Sequence, residues 1–398
     1  MPKKSYLGVD IGTSGIKVVQ LENFKGQPKL VTYGYAESKF DIIRNQSQGL
    51  QQNIASILSQ VLARARVTTT QAVAALPTYA VFNSIISLPR MSRRDLATAI
   101  RWEAKKFIPL PIEDMILDWK VLEGEKLTIA ERLLTMKVGT LFKRNKAEAN
   151  AEPAPKEPPA PEQGMPPALS HVETKKLDHG SEHEEGKKNV RILLTAAPKN
   201  LVSRYVEIFK LANCKLLSLE TEAFALSRSL IGVDQESVLI IDIGSSSTNI
   251  CMIERGVPVL NRGLDMGGDH ITRSISNSLN VSLERAEQFK LDFGIRMQEQ
   301  QGGLPGAIKD SLEPIINEIQ YVFDLYQNQG SIQVDRIVLS GGSAFLPNLP
   351  TYLSQLLKIP VYIGNPWDRI VYPLDLKPVL EAVGPQMAVS VGLAMRNI

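Results

Sequence analysis

Short apolar runs bounded by small and polar residues recur in both halves of the chain. Between them lie longer stretches in which apolar positions return every three to four residues. Runs of four to eight apolar residues between turn signals predict buried strands, and the longer periodic stretches predict helices. Strands and helices alternate up to about residue 122 and again from about residue 191 to the C-terminus, the order of an α/β protein. Mid-chain, this pattern predicts a strand at Val81–Leu88, a helix at Ser92–Phe107, strands at Ile116–Leu122 and Arg191–Ala196, and a helix at Lys199–Leu211. Ser92 followed by Asp95 is an N-cap pair, and Pro109 and Pro111 end that helix. Along it Arg94, Arg101 and Lys105 form a basic stripe opposite Leu96, Ile100 and Phe107. A solvated face fits this stripe, and so does contact with acidic lipid headgroups or partner acids.

The pattern also repeats. Residues 7–21 read LGVDIGTSGIKVVQL and residues 239–253 read LIIDIGSSSTNICMI, so that Leu, Asp, Ile, Gly and Ser recur in register 232 positions apart. Each copy is an apolar strand, a turn of Gly, Ser and Thr, and a second apolar strand. Two copies so widely spaced point to duplicated lobes, since a solenoid would repeat every few tens of residues.

Composition departs from this pattern in one segment. From about Lys146 to Lys188 the chain is rich in Pro, Glu and Lys, with Pro153, Pro155, Pro158, Pro159, Pro161, Pro166 and Pro167 crowded together. Such a segment buries too little apolar surface to offset its ordering entropy, and a disordered insertion spanning about 124–189 is expected. His171, His179 and His183 lie in it; a solvated polar loop is the default reading, and a metal site the less favoured one. The remaining numbers mainly exclude. A net charge of +3 over 398 residues does not mark a nucleic-acid binder. Cys214 and Cys251 are far apart and outside any metal spacing, which suits a reducing cytoplasm. No apolar signal region follows the N-terminus, and no run approaches the roughly 18–20 apolar residues of a membrane span. Any membrane role is therefore expected to run through a partner.

The repeated hairpins carry the chemistry. Gly12 and Gly244 permit a tight turn and close approach to an anion. The tip amides, with the hydroxyls of Thr13, Ser14, Ser245, Ser246, Ser247 and Thr248, supply donors for phosphate oxygens. Asp10 and Asp242 end their strands where a carboxylate holds the water shell of Mg²⁺, and Lys17 supplies a point charge for a phosphate.

The paired hairpins resemble the phosphate-1 and phosphate-2 loops of the actin, Hsp70 and sugar-kinase superfamily, with Lys17 in the register of actin's phosphate-contacting lysine. Two further segments are similar to that superfamily. DRIVLSGG at 335–342, with Ser343 and Phe345, looks like its adenosine motif, in which Gly341 and Gly342 let the backbone approach the nucleotide. Glu287 and Lys290, three apart on one helix face, match its ribose-contacting element. Gly267, Gly268 and the closing stretch Met387–Met395 also fit the pattern. The resemblance implies an α/β fold that is actin-like (ribonuclease H-like duplicated), two-lobed and ATP-binding, with ATP and Mg as cofactors. Glu220 and Glu222 lie near the place where actin-like ATPases orient the attacking water, which makes them the candidate catalytic acids.

The module at 81–214 resembles the inserted 1C subdomain of the FtsA and PilM families. The expected division is 1–80 with 215–233 and 378–398 as subdomain 1A, 81–214 as a 1C-like subdomain, 234–272 with 331–377 as 2A, and 273–330 as 2B. The chain stops directly after the last family helix, so the membrane-binding tail of FtsA is not expected. The stretches LGVDIGTSGIKVVQLE, VFNSIISLPRMSRRDLATAIRWEAKKFIPLPIEDMILDW and RILLTAAPKNLVSRYVEIFKLANCKLLSLETEAFAL look like the PilM family of type IV pilus assembly proteins. That resemblance implies a cytoplasmic adaptor that grips the N-terminal peptide of a PilN-like membrane protein and contacts the pilus motor ATPases, with self-association left open. Slow ATP turnover at most and no nucleic-acid role are expected. An FtsA-like division filament and a small-molecule kinase remain alternatives.

Overall fold

The computed structural model describes residues 5–108, 110–122, 189–232, 234, 236–295, 304–327 and 333–398. The Pro-rich insertion, its three histidines and Pro109 lie outside the described residues. Two five-stranded sheets share one topology. In the first lobe β1 (Ser5–Gly12), β2 (Gly15–Phe24) and β3 (Gln27–Glu37) form an antiparallel meander, and α1 (Gln48–Arg64) leads to β4 (Gln71–Leu76). β4 lies parallel beside β1, and β8 (Lys215–Thr221) lies parallel beside β4, giving the order β3-β2-β1-β4-β8. The second lobe repeats this with β9 (Ser237–Ile243), β10 (Thr248–Glu254), β11 (Val257–Leu264), β12 (Arg336–Ser340) and β13 (Val361–Ile363), ordered β11-β10-β9-β12-β13. The duplication read from the two DIG sequences is therefore a duplication of whole sheets.

The inserted module has its own three-stranded antiparallel sheet of β5 (Phe82–Pro89), β7 (Asn189–Pro198) and β6 (Met115–Val121), with β7 central. Helix α2 (Arg93–Ala104) packs on it through Leu96, Ile100 and Ala104, against Ile86, Ile192 and Leu194. Ser92 caps α2 as expected, accepting from the Asp95 amide at 3.3 Å. Helix α3 (Lys199–Leu211), expected inside the module, belongs elsewhere: Leu201, Tyr205, Ile208 and Phe209 are buried with Ile54 and Leu58 of α1. The module thus ends with β7 at Pro198, because the apolar face of α3 finds its partner in the first lobe. Subdomain 2B at 273–330 likewise has no core of its own among the described residues. Ile275 of α5 (Gly268–Leu279), Ala286 of α6 (Leu283–Phe293) and Ile308, Leu312 and Ile315 of α7 (Leu304–Gln327) share one cluster with Leu239 and Ile241 of the sheet. Leu349 and Leu353 of α8 (Leu349–Leu357) complete that cluster.

Two helices join the lobes. α4 (Glu222–Leu226) and α9 (Lys377–Ala394) contribute Ala223, Ala225, Leu226, Ala388, Val389 and Leu393 to a core that also takes Val73 and Ala75 from the first sheet and Val238, Ile240 and Cys251 from the second. By length and composition the stretch Leu374–Asn397 also suits a membrane span; here it is mostly buried between the sheets. Small residues make that burial possible. A Cβ on Gly392 would lie 2.0 Å from the Ala225 carbonyl oxygen, and one on Gly8 would lie 2.0 Å from the Ser390 carbonyl oxygen.

Candidate functional site

Because both hairpins leave their sheets in the same sense, their tips meet at the mouth of the interlobe cleft. Ser246 Oγ donates to Thr13 Oγ1 at 2.6 Å. Beneath this contact the strand ends bring Asp10 and Asp242 into one electrostatic cluster with Lys17 and Glu222, and Lys17 Nζ lies 3.2 Å from Asp10 Oδ2. Burial works against the Lys17 charge, but Asp10, and then Asp242 and Glu222, hold its ammonium above the ordinary lysine value.

The cluster sets three acids against one ammonium, and that ammonium pairs with Asp10. Burial pushes the Asp242 carboxyl up to about 6, with the Asp10 charge adding to it, although hydrogen bonds from Ser340 and Asn249 pull the other way. Burial pushes Glu222 up to about 8, again reinforced by Asp10 and Asp242. Glu222 Oε2 accepts from the Thr78 amide at 3.0 Å, Thr78 Oγ1 at 3.1 Å and Asn249 Nδ2 at 2.8 Å, so it is held from both lobes. Thr78 and Asn249 were not singled out in the sequence. A signal existed for Asn249: it stands opposite Asp242 as Lys17 stands opposite Asp10, at the same place in the repeat.

Glu220 is separated from this cluster. Its carboxylate takes two bonds from Arg228, at 2.8 and 2.9 Å, with Arg396 at 3.6 Å, and the group is buried. β8 ends at Thr221 and α4 begins at Glu222, so the turn into the helix redirects the chain between them, and of the two candidate catalytic acids only Glu222 lies with Asp10 and Asp242. Thr248 also departs from expectation: it is fully buried, and its hydroxyl donates to the Met266 carbonyl at 2.7 Å, so it anchors the hairpin from below.

The rest of the second tip is tightly built. The amides of Gly244, Gly268 and Asp269 donate to the carbonyls of Ser247, Gly244 and Ser245 at 2.9, 2.9 and 2.7 Å. In the first tip the Ser14 carbonyl accepts from Ser38 at 3.0 Å, and Gly12 leaves Lys17 Nζ 3.6 Å from where a Cβ would stand. Beyond Gly268 three elements converge. A Cβ there would lie 2.7 Å from Ser343 Oγ and 3.4 Å from Lys290 Nζ. Lys290 is buried and reaches Glu287 Oε2 at 2.7 Å, Thr272 Oγ1 at 3.0 Å and the Gly268 carbonyl at 3.3 Å. Gly341 has φ 80° and would place a Cβ 2.3 Å from the Ile243 carbonyl oxygen, so a side chain is excluded there, whereas beside Gly342 nothing lies nearer than 3.9 Å. Phe345, partly exposed, completes the turn Gly342–Phe345. Across the cleft mouth Arg44 pairs with Asp265, and Lys39 Nζ lies 3.7 Å from Asp269 Oδ2.

The donor set suits a polyanion accompanied by a cation: two Gly/Ser tips and an ammonium on one side, and carboxylates lacking positive charge on the other. Among the described residues no group of three or more His, Cys, Asp or Glu is placed to hold a metal ion by itself.

A family model described as type IV pilus assembly protein PilM matches residues 8–134 and 162–398. In three dimensions the chain is similar to the solved PilM-PilN type IV pilus biogenesis complex, with TM-score 0.75, 22% identity and 99% of each chain covered. It is also similar to the ethanolamine utilization protein EutJ of Carboxydothermus hydrogenoformans, with TM-score 0.50, 14% identity, and 100% of this chain and 91% of that one covered. Among curated proteins it is 25% identical over 216 residues to cell division protein FtsA of Staphylococcus epidermidis, covering 48% of this chain and 46% of the relative. With FtsA of Bacillus subtilis the identity is 23% over 194 residues, 44% of each. The chain spans a little under half the length of these curated relatives. The architecture is the actin-like two-lobed α/β fold with an inserted 1C-type module.

Proposed function

The chain belongs to the type IV pilus assembly protein PilM family, and from that premise we propose that it binds Mg-ATP between its lobes and acts as an adaptor at the cytoplasmic face of a pilus assembly machine. The observation that carries this reading is the contact of Thr13 with Ser246, which unites both phosphate-type tips over one acid cluster.

In this reading Gly12, Thr13, Ser14, Gly244, Ser245, Ser246 and Ser247 cradle the phosphates, with Lys17 as their point charge. Asp10 and Asp242 hold the magnesium ion through its water shell; when bound, the ion neutralises phosphate charge and supplies the counter-charge these acids lack. Glu287 and Lys290 receive the ribose, and Gly341, Gly342, Ser343 and Phe345 line the base. Glu222 is the group that faces a water molecule at the terminal phosphate. Its burial and its restraint by Thr78 and Asn249 fit slow turnover at most. Glu220 has no part in the site.

The partner is a PilN-like inner-membrane protein, whose short cytoplasmic N-terminal peptide lies between the first lobe and the inserted module. The solved relative forms a complex with PilN, and the junction of β4 with β5 places the module directly beside the first sheet. The adaptor passes this contact to the pilus motors and reaches the membrane face through its partner.

Affinity capture with the full chain and Mg-ATP, from detergent-solubilised membranes, tests the reading. Recovery of a single-span protein with a short cytoplasmic N-terminus, together with motor ATPases, supports it. Recovery of division proteins favours an FtsA-like filament. An empty capture with fast acceptor-dependent turnover, on the order of 1–10³ s⁻¹, favours a kinase.

A further inference from the structure

Helix α2 carries an exposed face with no residue in the proposed nucleotide site. Its inner side is spent on the module core through Leu96, Ile100 and Ala104. At about 100° per residue, Arg94, Thr98, Arg101, Trp102 and Lys105 share the opposite side with Asp95, and all six are exposed. Trp102 stands 69% exposed, with Lys105 Nζ 5.2 Å from its ring centroid.

The charge is locally one-sided. Residues 90–106 hold six cations (Arg90, Arg93, Arg94, Arg101, Lys105 and Lys106) and two acids, a net of +4, against +3 for all 398 residues. Both acids already have partners. Asp95 accepts the Ser92 hydroxyl at 2.6 Å, and Glu103 accepts from Lys106 at 2.9 Å. On this side three cations stand against the one acid, Asp95, and a face that merely meets water has no use for an exposed indole. Trp beside Lys and Arg is the combination that suits a headgroup layer: the ring enters the interface while the cations meet lipid phosphates.

We propose that the outer face of α2 docks on an anionic lipid bilayer, so that this chain touches the membrane directly as well as through a protein partner. The face belongs to one outward-turned helix and carries cations around a single ring, which matches an extended anionic plane better than an extended peptide needing a groove. One such patch gives weak, salt-sensitive attachment. It becomes effective once a membrane protein holds the chain nearby, because the second contact is then intramolecular. The surface itself does not depend on the pilus reading.

The test is sedimentation of the purified full chain with vesicles of phosphatidylcholine alone or with about a third phosphatidylglycerol, in the absence of any protein partner. Binding is expected to the anionic vesicles only and to weaken steeply between low and physiological salt. Reversing three charges (Arg94→Glu, Arg101→Glu and Lys105→Glu) is expected to lower it about tenfold or more, and Trp102→Ser severalfold. Both variants alter only exposed positions, so their melting points and ATP affinities should match the parent. Equal binding to neutral vesicles, no binding to either kind, or unchanged binding by the triple variant overturns the proposal. Tighter binding to duplex DNA or to an acidic peptide than to the anionic vesicles overturns it as well. Failure of the capture experiment above would leave this result standing.

Discussion

Asn249 occupies in the second hairpin the place that Lys17 occupies in the first, and the two have taken opposite electrostatic tasks. Lys17 lies 3.2 Å from Asp10 and neutralises it. Asn249 faces Asp242 across its own strand pair and donates to Glu222 at 2.8 Å, carrying no charge into the cluster. The second half of the site therefore has acids without a resident cation.

A pH dependence follows. Glu222 has its folded-state value raised from 4.5 to about 8, and Asp242 from 3.8 to about 6. For an acid raised on folding, the native state binds more protons than the unfolded chain between the two values, so stability falls as pH rises through that window. The nucleotide-free protein should melt at progressively lower temperature from about pH 4.5 to pH 8. Glu222→Gln should flatten the upper part of that slope, and saturating Mg-ATP should do the same in the parent chain. Calorimetry across the range checks both; a flat parent profile would refute the account.

Glu220 and Glu222 should separate cleanly. Glu220→Gln breaks a buried bidentate pair with Arg228, and removing one partner of such a pair costs about 3–5 kcal/mol. Urea unfolding should register that loss while ATP affinity at low temperature stays close to the parent's. Glu222→Gln should lower whatever ATP turnover exists and leave stability at neutral pH equal or improved.

Lys17→Ala should weaken ATP binding about 10- to 100-fold, the value of a charged hydrogen bond of about 1.5–3 kcal/mol. It also removes the partner of Asp10, so Mg-free binding should suffer more than Mg-loaded binding. Titration calorimetry with and without Mg²⁺ distinguishes the two effects.

Glu287→Ala removes a half-exposed group that pairs with Lys290. If this face meets the ribose, ATP affinity should fall while affinity for inorganic tripolyphosphate holds. Equal losses for both would return Glu287 to the status of a surface ion pair, which is worth less than about 1 kcal/mol.

Gly392→Ala places a methyl 2.0 Å from the Ala225 carbonyl oxygen, where the neighbour is backbone and cannot turn aside. Forced separation of α4 and α9 should cost about 1–3 kcal/mol and loosen the lobes, seen as a lower unfolding midpoint and weaker nucleotide binding together.

The duplicated lobes, the two tips and the strands and helices of the inserted module were legible along the chain, because these rest on local rules. An apolar strand running into DIG and small hydroxyl residues reads the same wherever it sits, and 232 residues of separation do not blur it. Capping of α2 by Ser92 and the extent of α3 were legible for the same reason. What depends on facing came only with the packed fold. Glu220 and Glu222 are two residues apart, yet one ends in a buried arginine pair and the other in the cleft, because a strand gives way to a helix between them. Thr248 looks like its serine neighbours in the sequence, but β10 turns its hydroxyl onto Met266. The allegiance of α3 and the restraint of Glu222 by Thr78 and Asn249 depend on contacts between residues far apart along the chain. Such pairings are fixed by how the sheets pack, and no local pattern encodes them.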